Sequence, residues 1–128
     1  RGARADGWRA LRNATAFGKG EASATAGLLI SRRLVRRGSI DGADRLLGWL
    51  ESRAQGDIRV AVARARLLEW RRRDPVNALT VVERAQRRMP EVAAELEARR
   101  VRLRTKLQSR KQREMRHVQL EAPFKRTQ

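Results

Sequence analysis

The chain has 128 residues, and its 31 lysines and arginines against 14 aspartates and glutamates give a formal net charge of +17. With 41% hydrophobic residues, 4% aromatic residues and no tyrosine, the composition suits helix-on-helix packing better than a β-sandwich. The absence of cysteine excludes a disulfide framework and a thiolate metal site, and no apolar run is long enough to span a membrane. We therefore expect an all-α protein in the reducing cytoplasm. Because the chain begins at Arg1 rather than at methionine, we expect a fragment or a processed product.

Glycines and widely spaced apolar residues predict a linker over residues 1–20. A first helix is predicted from about Glu21 to Arg37, since leucine, isoleucine and valine form a broad apolar face and Gly38 is a natural C-terminal cap. A second helix is predicted from Asp41 to about Ala54. Its apolar face consists of Ala43, Leu46, Leu47 and Leu50, with Trp49 at the edge.

Two further amphipathic helices lie between Ala61 and Pro90 and are predicted to fold back on each other. Apolar residues at the i, i+3, i+4, i+7 spacing mark one face of each helix, namely Ile58, Ala61, Val62, Ala65 and Leu68 in the first and Ala78, Val82, Ala85 and Met89 in the second. Asp74 and Pro75 predict the turn between them. Proline suits the first position of a helix, and aspartate caps the free N–H groups there.

The two predicted hairpins share a turn pattern. Residues 37–43 can be superposed on residues 72–78 with an offset of about 35 residues, and small Ala78, small Ala85 and terminal Pro90 follow in the second copy. This pattern resembles the tetratricopeptide repeat, whose period is roughly 34 residues. It departs from that repeat at Arg66, where a small residue is expected. We therefore predict antiparallel hairpins stacked as degenerate tetratricopeptide-like repeats over residues 21–107.

A long basic helix is predicted to follow the second hairpin. Its apolar stripe, formed by Val92, Leu96, Leu103 and Leu107, is expected to close the exposed end of the repeats, as terminal helices of solenoids do. The stripe stops at Leu107, and the helical pattern is lost at Pro123. Residues 108–128 are therefore predicted to form a basic helical extension with a frayed tail.

A set of residues in the second hairpin and the closing helix matches the pattern of a known family. The set consists of Ala65, Glu69, Arg71 or Arg72, Asp74, Ala78 and Leu79, followed by Leu96, Glu97, Arg99, Arg100, Leu103 and Leu107. It resembles the helical C-terminal region of bacterial RNase H-like-domain proteins, which are predicted exonucleases, and the resemblance covers about residues 25–107. It implies that the chain is the accessory helical part of such a protein, with the nuclease domain upstream.

The carboxylates of the sequence do not form an evident catalytic or metal site. Helix capping explains the aspartates at predicted helix starts, namely Asp41, Asp44, Asp57 and Asp74. Glu69 and Glu83 stand among arginines and are interpreted as surface ion-pair partners, with a link between two helices as the alternative for Glu69. His117 is interpreted as a solvated side chain. We predict no catalytic residue, metal, cofactor or small-molecule substrate, and therefore no enzyme within this chain.

The distribution of positive charge is the most informative feature of the sequence. The candidate nucleic-acid-binding residues are those of the basic C-terminal helix, Arg99, Arg100, Arg102, Arg104, Lys106, Arg110, Lys111, Arg113 and Arg116, and those of one turn, Arg71, Arg72 and Arg73. Other arginines cluster before turns. The alternative explanation is that these cations only complement the negative ends of helix dipoles.

The tryptophans Trp8, Trp49 and Trp70 have two interpretations. They can stack on single-stranded bases, but packing in the seams between helices is the favoured interpretation for Trp49 and Trp70.

The sequence as a whole predicts a non-catalytic helical module that contacts the phosphates of DNA or RNA without sequence preference. The alternatives are a scaffold that binds an acidic protein or the upstream nuclease domain, and a structural component bound to RNA in a large assembly.

Overall fold

The computed structural model describes residues 21–53 and 56–126, with side chains described for residues 23–53 and 56–120. Every regular element in these ranges is helical, so the predicted all-α class is confirmed. The elements are α1 (Glu21–Arg36), α2 (Ile40–Arg53), α3 (Ile58–Arg66), a π-helical turn (Leu67–Arg71), α4 (Pro75–Arg88), a 3₁₀ turn (Pro90–Val92) and α5 (Ala93–Arg126). The linker predicted over residues 1–20 and Trp8 lie outside the described residues.

Each helix packs against the next one in the chain, and α1 also contacts α3. Helices α1 and α2 form a first hairpin around one apolar cluster, to which Val60 and Leu67 also belong. Helices α3 and α4 form a second hairpin around another cluster, which Leu96 and Leu103 of α5 complete. Helix α3 therefore has two buried faces, because it lies between the two clusters. The four apolar positions predicted for α2 and the four predicted for α4 are all buried.

The turn inside the first hairpin has the hydrogen bonds of a Schellman motif. The N–H of Ser39 donates to the carbonyl of Leu34 (2.8 Å), and the N–H of Gly38 donates to that of Val35 (3.0 Å). Gly38 has a φ of 81°, which glycine adopts without a steric penalty. The predicted cap at Gly38 is thus confirmed.

The turn inside the second hairpin has a left-handed residue at the equivalent position. Arg73 has a φ of 52°, and the N–H of Asp74 donates to the carbonyl of Leu68 over 2.8 Å. Asp74 then accepts a hydrogen bond from the N–H of Asn77 and precedes Pro75 in the first turn of α4, as predicted. A left-handed conformation costs a residue other than glycine about 1–2 kcal/mol. The surrounding hydrogen bonds therefore hold Arg73 in a strained geometry.

The π-helical turn at the end of α3 was not predicted from the sequence. Its wider spacing is visible in the bond from the N–H of Arg72 to the carbonyl of Leu67 (3.1 Å). Three consecutive side chains of this turn are buried, namely Leu67, Leu68 and Glu69. Leu67 belongs to the first apolar cluster and Leu68 to the second. The turn therefore joins the two clusters.

Helix α5 consists of 34 residues and is about 50 Å long at the usual rise of 1.5 Å per residue. Its first half packs on α4, and every side chain from residue 108 to residue 120 is exposed. The helix continues to Arg126, so the predicted loss of helix at Pro123 is wrong. Proline removes one N–H donor, but its fixed φ is close to the helical value, so helical geometry can continue on both sides of it.

Helices α1 and α2 approach each other closely at Gly27. A Cβ atom built there would lie 2.8 Å from Cδ2 of Leu50, a side chain that is itself fully buried. Glycine is therefore required by the packing of the first hairpin and not by its backbone conformation. By contrast, a Cβ atom at Gly56 would meet nothing within 4 Å.

We predict that Gly27→Val lowers the free energy of unfolding by about 1–3 kcal/mol, because the added methyl groups overfill the seam between α1 and α2. Thermal denaturation followed by circular dichroism at the helical minimum would measure the change. Gly56→Ala is the control and should stay within about 0.5 kcal/mol of the wild type. A Gly27→Val protein as stable as the wild type would mean that α1 does not dock on α2 in this way.

Candidate nucleic-acid interface

Nine of the twelve predicted phosphate-binding residues lie on α5, and the other three follow Trp70 at the end of the π-helical turn and in the turn before α4. The structure separates them into two groups. Seven form ion pairs with carboxylates of the chain, namely Arg72, Arg99, Arg100, Arg102, Arg104, Lys106 and Arg110. The other five, Arg71, Arg73, Lys111, Arg113 and Arg116, are exposed and have no ion pair with any carboxylate whose side chain is described.

Glu69 is the centre of the largest cluster of cations. Its side chain is buried, with 1% of its surface exposed, and its Oε1 accepts a hydrogen bond from Nη2 of Arg102 at 2.8 Å. Nη1 of Arg99 lies 3.9 Å from the same oxygen, and Nζ of Lys106 lies 3.6 Å from Oε2. These three cations stand three or four residues apart on α5, so they share one face of that helix. A single buried carboxylate thus connects the π-helical turn to α5.

The interpretation of Glu69 as a surface ion-pair partner is therefore wrong, and the alternative of a link between two helices is correct. The reason is its position. Glu69 follows Ala65 by four residues, so it continues the apolar stripe of α3 that belongs to the second apolar cluster, to which Leu96 and Leu103 of α5 also belong. A carboxylate on that stripe is buried, and a buried charge needs cations and hydrogen-bond donors around it. The interpretation of Glu83 holds, since it pairs with the exposed Arg104 at 2.5 Å.

Arg99 shows the electrostatic state of this cluster. Its partial burial lowers the pKa of its guanidinium, and the positive charges of Arg102 and Arg66 lower that pKa further. The charge of Glu69 acts in the opposite direction but does not cancel them. Three cations, Arg99, Arg102 and Lys106, therefore share one carboxylate, and the charge of Arg66 acts on Arg99 from outside these ion pairs. The cluster retains an excess of positive charge after its internal pairing.

A second group of ion pairs holds the hairpins together. Arg72 pairs with Asp41 and, at 3.6 Å, with Asp44, and Arg64 pairs with Asp44 at 3.3 Å and with Glu51 at 3.4 Å. Asp41 and Asp44 were expected to cap α2. Asp41 lies in the first turn of α2, where the helix dipole favours an acidic side chain, and both aspartates also bind arginines of the second hairpin, which a local argument does not consider. The caps predicted at Asp57 and Asp74 are confirmed, each accepting a hydrogen bond from a backbone N–H of the following helix.

A carboxylate also connects the first turns of α5 to α4. Glu97 accepts hydrogen bonds from Arg100 and from Nε2 of Gln86 on α4, the latter over 3.0 Å. These two hydrogen bonds lower the pKa of Glu97 to about 2, and the bond from Arg100 has the larger effect. The pairing with Glu97 in turn raises the pKa of Arg100. Arg100 is therefore committed to this internal contact.

The two described tryptophans have different environments. Trp49 is half-buried against the first apolar cluster, as the packing interpretation predicted, and Arg53 lies over its ring at 5.3 Å from the centroid. Trp70 is 59% exposed, so its predicted place in a helix seam is wrong. The π-helical turn buries the three residues before it and leaves the indole outside. Lys106 and Arg102 lie against the ring, at 4.5 and 6.0 Å from its centroid.

Comparison with protein-family models, with curated proteins and with solved structures finds no match for this chain. The part of the chain that the structure describes contains no group of three or more His, Cys, Asp or Glu side chains that could hold a metal ion. Within the same part, no helix is both long and apolar enough to cross a membrane. The basic surface is therefore the feature of this chain that bears on its function.

Sequence reasoning missed the roles of Arg64 and Arg84, which both pair with Glu51 and so connect α3 and α4 to α2. No periodic signal marks these pairs, because they depend on how the hairpins pack. The burial of Glu69 could have been found, since its spacing from Ala65 and Leu68 places it on a buried stripe.

We predict that Glu69→Gln lowers the free energy of unfolding by about 1–3 kcal/mol, because it leaves the cations of α5 to repel one another beside a buried amide. Urea denaturation would measure the loss, and hydrogen exchange should show faster opening of the first half of α5. Glu83→Gln is the matched control. Its partner Arg104 is exposed, so the change should stay below about 1 kcal/mol. In a double-mutant cycle, Glu69→Gln and Arg102→Gln should couple, and additive effects would contradict the link described above.

Proposed function

We propose that this chain is a non-catalytic helical module that binds the phosphate backbone of nucleic acid without sequence preference. The observation that carries this proposal is the outer half of α5. From residue 108 onward the helix leaves the body of the protein with every described side chain exposed. Three of its cations, Lys111, Arg113 and Arg116, have no carboxylate partner among the described side chains. Unpaired cations on a projecting helix are suited to neutralising phosphates.

The pairing of the carboxylates distinguishes the inner cations of α5 from the outer ones. In the described part of the chain, the carboxylates are mostly engaged in ion pairs with arginines of the body or of the first half of α5. The inner cations of α5 therefore stabilise the fold, and the positive charge available to a ligand lies further out. Of the residues predicted from the sequence to bind phosphates, we retain Lys111, Arg113 and Arg116 on α5 and Arg71 and Arg73 in the turn.

The proposed architecture is a pair of tetratricopeptide-like repeats that α5 closes at one end. The equivalent left-handed residues Gly38 and Arg73, which lie about 35 residues apart, favour this arrangement. In the extended form of the proposal, the module is the accessory part of an RNase H-like exonuclease and delivers nucleic acid to it. The cytoplasmic location expected from the sequence stays a prediction.

A scaffold that binds an acidic protein is the second candidate. The same unpaired cations would bind an acidic segment, and the exposed arginines at the end of α1 and directly after it could take part, namely Arg32, Arg33, Arg36 and Arg37. The two candidates differ in their response to salt. Binding to a nucleic acid releases counterions condensed on a linear polyelectrolyte, whereas an acidic peptide carries no such dense atmosphere.

We predict that the wild-type chain binds duplex DNA and RNA tightly at low salt, weakly at high salt and with little dependence on sequence. The triple substitution Lys111→Gln, Arg113→Gln and Arg116→Gln removes about three phosphate contacts. The slope of log affinity against log salt on duplex DNA should therefore become shallower by roughly two to three units. Fluorescence anisotropy with a labelled duplex at several salt concentrations would measure it.

The matched control for this experiment is Arg33→Gln, Arg36→Gln and Arg37→Gln, which removes the same charge from the end of α1. Its salt slope should change much less than that of the α5 variant. Equal changes in the two variants would show that binding is a diffuse effect of net charge. If the wild-type chain binds neither nucleic acid at low salt, the protein-scaffold candidate replaces the present one.

A further inference from the structure

Trp70 is a large aromatic side chain that is exposed in the described part of the protein. Its indole is 59% exposed, although the residue next to it in the chain, Glu69, is buried. The π-helical turn fixes the backbone on which it stands, and two cations of α5 fix the ring itself. Nζ of Lys106 lies 4.5 Å from the ring centroid and Cζ of Arg102 lies 6.0 Å from it. A large aromatic ring thus lies at the surface with two cations beside it.

The ring is surrounded by more positive charge than the chain neutralises. Arg99, Arg102 and Lys106 share the single carboxylate of Glu69, and the charges of Arg66 and Arg102 both act on Arg99. Arg71 follows Trp70 directly and is exposed without an ion pair to any described carboxylate. The surface therefore combines a flat apolar face with an excess of cations that are held in place.

This combination fits a nucleotide better than it fits an acidic peptide. A carboxylate side chain would use the cations but would gain nothing from the exposed indole. A nucleotide presents a flat base to the ring and a phosphate to the cations, and base–aromatic stacking contributes about 1–3 kcal/mol for each base. In a duplex the faces of the bases are covered by their neighbours, so only an unpaired base can reach the ring.

We propose that Trp70 is a stacking platform for a base of single-stranded nucleic acid, whose phosphate contacts the exposed Arg71 that follows Trp70 in the chain. This inference rests on the proposed function and adds to it a site and a ligand class. The projecting half of α5 attracts any phosphate backbone, whereas the Trp70 platform selects strands with unpaired bases. The cations that hold the ring reduce the ordering that binding requires, because the indole has little freedom left to lose.

The test compares two single strands of equal length and charge, an oligothymidylate and an oligomer of abasic sites. Because both carry the same phosphates, the difference in their affinities isolates the contribution of the bases. The wild-type chain should bind the oligothymidylate about 5- to 150-fold more tightly than the abasic strand, the range that one stacked base provides. Trp70→Leu should abolish this difference and leave the affinity for the abasic strand unchanged. Trp70→Phe, which retains an aromatic face, should keep most of it.

Three comparisons make the result decisive. The Lys111→Gln, Arg113→Gln and Arg116→Gln variant should lower the affinity for both strands by the same factor, because these substitutions remove only contacts with phosphates. Binding of the oligothymidylate should quench tryptophan fluorescence in the wild type, and the quenching should be lost in Trp70→Phe. Thermal denaturation should show that Trp70→Leu is folded, since the side chain is mostly exposed.

The outcomes also separate this inference from the function on which it rests. If the wild-type chain binds both strands with equal affinity, phosphate binding stands and the stacking platform is refuted. The same conclusion follows if Trp70→Leu retains the preference for the oligothymidylate. If neither strand binds at low salt, phosphate binding itself is refuted, and the platform with it.

Discussion

The packing of α5 depends on one buried carboxylate. Glu69 continues the apolar stripe of Ala65 and Leu68 into the second apolar cluster, so the helix that completes this cluster must bring cations to its carboxylate. Helix α5 does so with Arg99, Arg102 and Lys106, while its Leu96 and Leu103 fill the second apolar cluster. Sliding α5 along α4 would lose both sets of contacts together. The carboxylate therefore fixes the position of the helix more strictly than apolar packing alone, which tolerates small displacements.

This requirement divides the positive charge of α5 into two functional parts. The inner cations are engaged by Glu69, Glu83 and Glu97, and their removal is expected to affect folding before it affects any ligand. The outer cations stand beyond the last partly buried apolar residue, Leu107, and stabilise nothing in the described body of the protein. A run of basic residues in a sequence can thus contain both structural charges and charges available to a ligand, although the two kinds do not differ in composition. The positions of their carboxylate partners separate the two.

The sequence predicts the local features of this fold and misses the features that depend on packing between hairpins. The helices, the left-handed turn at Gly38 and the caps at Asp57 and Asp74 follow from propensities and spacings within a few residues, and they are present. The π-helical turn does not follow from them. It exists because α3 serves two apolar clusters at once, which requires consecutive residues to face inward. The exposure of Trp70 is a consequence of the same turn, so a single missed element accounts for that error. The burial of Glu69, by contrast, could have been predicted from its position on the apolar stripe of α3 alone.

The fold and the proposed stacking platform share Lys106. Its ammonium lies 3.6 Å from Oε2 of Glu69 and 4.5 Å from the centroid of the Trp70 ring, so it connects the buried carboxylate to the exposed indole. Oε2 of Glu69 accepts no hydrogen bond within the described part of the chain, which leaves the attraction to Lys106 as its principal interaction. Glu69 thereby keeps Lys106 beside the ring instead of in solvent. The electrostatic link that docks α5 on the π-helical turn is therefore also the contact that holds the aromatic surface in position for a ligand.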